Sequence, residues 1–85
     1  MNKKLANALN NPMKHISDVR RCFDLCSTQE DVKEVIGSIP AKFGNFNVEF
    51  SDDGETFVIS NSFYEEGEYY EEEAEYEFYE FDEEG

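Results

Sequence analysis

The chain changes period halfway along. In the first half apolar residues recur every three or four positions, as on one face of a helix; in the second they alternate with polar ones, as on a strand. Asn2 is placed to cap a short helix through Asn10, with Leu5, Ala6 and Leu9 as its stripe. Asn11-Pro12 then reads as the start of a second helix, Asn as N-cap and Pro at the first helical position, with Ile16, Val19, Phe23 and Cys26 on its buried face. Ser27-Thr28-Gln29-Glu30 matches a capping box, which predicts a third helix from Thr28 to Ile36 or Ser38. Val32, Val35 and Ile36 form its core side, and Pro40 marks its end.

From Phe46 onward the pattern is that of an antiparallel meander. Phe46, Val48 and Phe50 alternate with Asn47, Glu49 and Ser51, and Asp53-Gly54 reads as a two-residue type I′ hairpin loop. That loop sets Phe50 opposite Phe57, Val48 opposite Ile59 and Phe46 opposite Asn61. A second turn at Glu66-Gly67 sets Phe63 opposite Tyr70, Ile59 opposite Ala74 and Phe57 opposite Tyr76. The same parity sends Glu71, Glu73, Glu75 and Glu77 to the other face. Tyr79 and Phe81 break the alternation, so a bulge or the strand's end is expected near Phe78. A helix over 68–82 competes with this strand, because Tyr70, Ala74, Phe78 and Phe81 also fit a helical stripe; glutamate prefers helix and tyrosine prefers strand. We read it as a strand. The expected fold is α+β: one domain over residues 1–85, with a helical layer at 1–38 packed on a three-stranded antiparallel meander at 45–82 whose outer face is acidic.

Charge sharpens the division. Residues 1–42 hold all seven basic side chains and five acids, whereas residues 43–85 hold sixteen acids and no base, for a net charge of −14. A protein that only needs solubility mixes its signs, because a single-sign field destabilises the compact state through self-repulsion. Aromatics at 15% argue for a folded chain rather than an acidic tail. Such a chain is repelled by nucleic acid and by anionic lipid, so direct nucleic-acid or membrane binding is excluded as an expectation. No apolar run approaches the roughly 18 residues of a membrane span.

Catalytic and metal chemistry find little support. Cys22 and Cys26 have no further cysteine to pair with, which points to a reducing, cytoplasmic compartment. On one continuous helix they would share a face with His15, but three ligands on a single rod cannot surround a tetrahedral ion, so buried thiols are the expectation and no metal or cofactor is assigned. Asp52-Asp53-Gly54-Glu55 is too short for an EF-hand loop. No glycine-rich phosphate loop, serine elbow or Cys/His pairing appears, and a chain this small cannot build a deep cleft around its carboxylates, so no enzyme activity is expected.

What remains is the acidic surface. Glutamates at every second strand position stand about 6.6–6.8 Å apart, against one phosphate per roughly 3.4 Å along a duplex strand. Glu49, the turn residues Glu65, Glu66 and Glu68, and Glu80, Asp82, Glu83 and Glu84 are expected to thicken the row of Glu71, Glu73, Glu75 and Glu77, while Tyr64, Tyr69 and Tyr79 add exposed stacking surface. Arg and Lys bind carboxylate and phosphate with the same charge-assisted geometry.

In size, in charge and in the run EEGEYYEEEAEYEFYEFDEE at 65–84, the chain resembles the small acidic DNA-mimic inhibitors that phages and mobile elements use against restriction, CRISPR or DNA-repair enzymes. Those inhibitors share no fold, so the resemblance is one of class. It implies a stoichiometric inhibitor that occupies the groove of a basic DNA-binding protein or nuclease complex in a bacterial host cell; monomer and homodimer are both open to it, because Tyr- and Phe-bearing edge strands can pair across a two-fold. Two other classes use the same sign of charge: an immunity-type inhibitor of a basic nuclease toxin, with shape-specific contacts, and an acidic chaperone for basic proteins, with less geometric precision.

Overall fold

Each helix starts at a side chain that accepts backbone N–H groups in or just before its first turn. In the computed structural model, which describes residues 1–80, α1 spans Lys3–Leu9 and is capped by Asn2, whose Oδ1 accepts the Leu5 N–H at 2.8 Å. The Asn2 side chain also donates to the Leu25 carbonyl (2.8 Å) and to Ser27 Oγ (3.1 Å), so one residue starts α1 and ties it to the next turn of chain.

The second helix, α2, spans Ile16–Asp24 and begins four residues later than Asn11-Pro12 predicts. Asn11 serves the end of α1 instead. Its N–H donates to the Ala8 carbonyl and its side-chain amide to the Asn7 carbonyl. The cap falls at His15, where Asp18 Oδ2 accepts the N–H groups of Lys14 and His15, each at 3.0 Å. Those two bonds hold the Asp18 carboxyl below its ordinary pKa of 3.8. The third helix, α3, spans Gln29–Ser38. Its N-cap is Thr28, one residue after the expected Ser27, and the expected capping box does not form. Thr28 Oγ1 accepts the Asp31 N–H, and the buried Asp31 carboxylate accepts from the N–H and hydroxyl of Ser27.

A 3₁₀ turn at Ala41–Phe43 leads through Gly44 into β1 (Asn45–Phe50), followed by β2 (Thr56–Glu65) and β3 (Glu68–Glu77). Gly44 has φ +96°, and a Cβ there would run into the Ser62 carbonyl oxygen. Only glycine fits. The sheet is antiparallel in the order β1-β2-β3. The expected pairings are all found: Phe50↔Phe57, Val48↔Ile59, Phe46↔Asn61, Phe63↔Tyr70, Ile59↔Ala74 and Phe57↔Tyr76. Residues 68–77 are therefore strand, and β3 ends just before Phe78.

The two turns differ. At Glu66-Gly67 both residues have positive φ (+52° and +83°), the type I′ signature. At Asp53-Gly54 only the glycine does, at +72°. Ser51 and Thr56 are joined by a backbone bond of 3.0 Å, which leaves Asp52–Glu55 as a four-residue loop rather than the expected two-residue one. Asp53 supports it by accepting from Ser51 Oγ at 2.6 Å and from the Glu55 N–H at 2.9 Å. Both loops centre on the same bond, so the register is unchanged.

The helices cover one face of the sheet. Leu5, Met13, Val19, Cys22, Phe23, Cys26, Val32, Val35, Phe57 and Ile59 form one buried cluster. Phe57 is its aromatic centre, stacked on Tyr76 at 5.5 Å and packed against Phe78 at 4.9 Å and Phe23 at 6.5 Å. Full burial of two phenylalanines, three valines and a leucine contributes on the order of 1.5–3 kcal/mol per side chain.

Candidate functional site: the open face and tip of the sheet

The register divides the sheet into two chemistries. Tyr70, Glu72, Ala74 and Tyr76 of β3 lie opposite the inward-facing Phe63, Asn61, Ile59 and Phe57 of β2. By the two-residue period of a strand, Tyr69, Glu71, Glu73, Glu75 and Glu77 point the other way, and all five are exposed. Glu71 to Glu77 covers about 20 Å at the usual strand rise. Across the strands, Glu71 faces Ser62, Glu73 faces Ser60, Glu75 faces Val58 and Glu77 faces Thr56, which are small and half-buried. Beyond them β1 offers Asn45, Asn47 and Glu49. A lane of carboxylates thus stands beside a lower, mostly hydroxyl-bearing lane, with amides at the far edge.

Not every expected residue joins that row. Glu49 does, in line with Val58 and Glu75. Glu65 and Glu68 pair with each other and share the parity of Phe63 and Tyr70, which places them on the helix side, where the Tyr70 hydroxyl donates to Glu68 Oε2 at 2.9 Å. Glu66 sits in the turn, exposed. Glu80 is exposed but follows the end of β3, and Asp82, Glu83 and Glu84 lie outside the described residues.

Tyr79 departs from the expected position. It is half-buried rather than exposed: its N–H donates to the Cys26 carbonyl at 2.7 Å, and the Lys4 ammonium lies 5.5 Å from its ring centroid. Past Glu77 the chain leaves the sheet plane for the helical layer, which carries this ring away from the carboxylate row. Tyr64 and Tyr69, by contrast, are open to solvent, at 77% and 53% exposure. Sequence parity also places Glu72 off the row; it stands 3.9 Å from Arg20, an exposed pair worth little.

The thiols take no part in this surface. Cys22 and Cys26 are both buried and free, and burial pushes the Cys26 thiol up to about 12. His15 caps α2 in the open instead of sharing a helical face with them. Among the described residues no group of three or more His, Cys, Asp or Glu is arranged to hold a metal ion, and no helix is long and apolar enough to cross a membrane. Compared with protein-family models, with curated proteins and with solved structures, the chain matches none.

Proposed function

We propose that the protein is a DNA-mimic inhibitor: it lays the acidic outer face of its sheet into the basic groove of a DNA-handling protein in a bacterial host and keeps nucleic acid out. The observation that carries this is the row of Glu71, Glu73, Glu75 and Glu77, four exposed carboxylates on one strand in a half-chain that has no basic residue. A sheet holds such a row at fixed spacing, so a groove shaped for phosphates meets the charges without first ordering them. At roughly half the linear charge density of one duplex strand, the row imitates a phosphate track in outline, with Glu49 extending it sideways. The role is stoichiometric, with no reaction catalysed. The basic partner is a restriction, CRISPR or repair nuclease complex, met in the cytoplasm.

Competition tests it. A bacterial DNA-binding protein captured by this chain is mixed with labelled duplex, and the chain is titrated in. Displacement complete near one equivalent is the expected result. A ternary complex holding duplex and protein together at full affinity overturns the proposal.

A further inference from the structure

The β2–β3 hairpin outruns the rest of the sheet. Pairing with β1 stops at Ser62, whereas β2 and β3 stay paired out to Glu65↔Glu68. The projecting tip carries two aromatic pairs, one on each face. Tyr64 and Tyr69 lie with ring centroids 5.2 Å apart at 58° on the outer face, and Phe63 stacks on Tyr70 at 5.4 Å on the inner one. None of the four belongs to the buried cluster or to the apolar residues packed on it. Tyr64 and Tyr69 in particular face solvent rather than the core.

Exposed aromatic rings at a projecting strand end are the composition of a protein–protein contact rather than of a solvated edge. The turn beyond the two pairs adds an exposed carboxylate. Glu66 occupies the left-handed region at φ +52°, where Asn, Asp or Gly would sit at lower cost. Glu71 stands two residues from Tyr69 on the same face.

We infer that this tip anchors the interface, and that its occupant is an arginine side chain of the partner protein, its guanidinium lying on the Tyr64–Tyr69 pair with Glu71 accepting its N–H groups. The inference rests on the partner being basic, as proposed above, and names where it is gripped. Ring faces attract cations, and a planar, weakly hydrated guanidinium stacks on them while keeping in-plane donors free for a carboxylate. An ammonium does neither as well. The glutamate row supplies long-range attraction; the tip supplies the contact that discriminates.

The probe is a synthetic octapeptide alternating arginine and glycine, with its lysine counterpart as control, titrated into isotope-labelled protein at 0.1 M salt, a condition chosen for a screening length of about 10 Å. The largest amide shifts are expected at Tyr64, Tyr69 and Glu71, with the arginine peptide bound about two- to five-fold more tightly than the lysine one. Tyr64→Ala with Tyr69→Ala should abolish that preference, and Tyr64→Phe with Tyr69→Phe should keep it, because the ring face is retained. Shifts spread evenly along Glu71–Glu77, equal affinity for the two peptides, or a Phe variant as weak as the Ala variant would each overturn the inference. The wild-type map and the peptide comparison need no variant to fold. Duplex displacement that persists in the double Ala variant at full affinity removes the anchor but leaves the mimicry standing; duplex never displaced by the wild type removes the mimicry itself.

Discussion

The backbone N–H of Tyr79 donates to the carbonyl oxygen of Cys26 at 2.7 Å, joining the chain just past β3 to the turn between α2 and α3. Beside this bond the Phe78 ring packs 4.9 Å from Phe57 and stacks on Phe50 at 6.3 Å. The end of the sheet is thereby closed onto the helices. Hydrogen exchange should find the Tyr79 amide protected although it lies beyond the last strand residue, and Phe78→Ala should lower stability by about 2–4 kcal/mol. A Tyr79 amide that exchanges like an exposed loop would mean that the chain does not return to the helical layer there.

Gly44 is the narrowest point of the fold. Its φ of +96° disfavours any L side chain, and the Ser62 carbonyl and Phe63 Cβ fill the space a methyl group would need. Gly44→Ala should cost at least about 2 kcal/mol, from backbone strain plus the clash. Gly37 has nothing within 4 Å of the same added atom and no positive φ, so Gly37→Ala is the control. Inside α3 it should stabilise by about 0.5–1 kcal/mol. Urea denaturation of the pair decides it: equal midpoints would mean that the Gly44 passage is looser than described.

Asp18 gives the stability a measurable acid limb. Its folded pKa lies below the ordinary 3.8 because the N–H groups of His15 and Lys14 bind the ionised form. A depressed carboxyl contributes stability that is complete above the unfolded value and is lost as pH falls through the folded one. Asp18→Ala should therefore melt below wild type from pH 7 down to about pH 5, and the gap should close as pH drops past 3.8. Comparing the two proteins at each pH cancels the titration of the glutamates. A gap that stays constant to pH 2.5 would show that the cap acts without its charge.

The sheet was more legible in the sequence than the helix starts, for a physical reason. A strand's two-residue period is strict, so one turn glycine fixes the facing of every later residue, and Phe57↔Tyr76 follows from Gly67. Even the mistaken loop at Asp53-Gly54 left the register intact, since a four-residue loop about the same centre pairs the same residues. Caps are decided by competition between neighbours. Asn11-Pro12 carries a helix-start signal, but the Asn11 amide is already committed to the Ala8 carbonyl, and Ser27 yields to Thr28 because Asp31, not Glu30, reaches back. The carboxylate row was legible by parity. The return of Tyr79 to Cys26 was not, because it joins residues 53 positions apart that no local pattern connects.

Geometry and bulk charge can be separated by two sets of four neutral substitutions. Changing Glu71, Glu73, Glu75 and Glu77 to Gln removes the row; changing Asp24 and Asp52 to Asn and Glu34 and Glu55 to Gln removes as much charge from exposed sites off it. The two variants have the same net charge and, all eight sites being exposed, should both fold. If the row is the binding surface, the first variant should lose at least about ten-fold more affinity for the captured partner than the second, as expected when several close charge pairs are lost. Equal losses would mean that only total charge matters, which favours a chaperone for basic proteins.

Salt should move stability and binding in opposite directions. Residues 43–85 hold sixteen acids and no base, and folding brings the thirteen among the described residues closer than the open chain does, so the folded half repels itself. At about 0.01 M ionic strength the screening length is roughly 30 Å, comparable with the domain; at 1 M it is about 3 Å, shorter than the spacing of the glutamate row. Added NaCl should therefore raise the melting temperature. The same screening weakens the pull of a basic groove, so affinity for the partner should fall over the same range. Melting scans and binding titrations at matched NaCl concentrations compare the two directly. Arg20–Glu72 is too exposed and too long, at 3.9 Å, to reverse the first trend. A melting temperature that falls with salt would point to stabilising attraction elsewhere, between the Met1 ammonium and the buried Asp31 carboxylate 4.0 Å away or spread between the basic helical layer and the sheet. Affinity indifferent to salt would show that the interface is apolar, and would count against both the glutamate row and the arginine anchor at the tip.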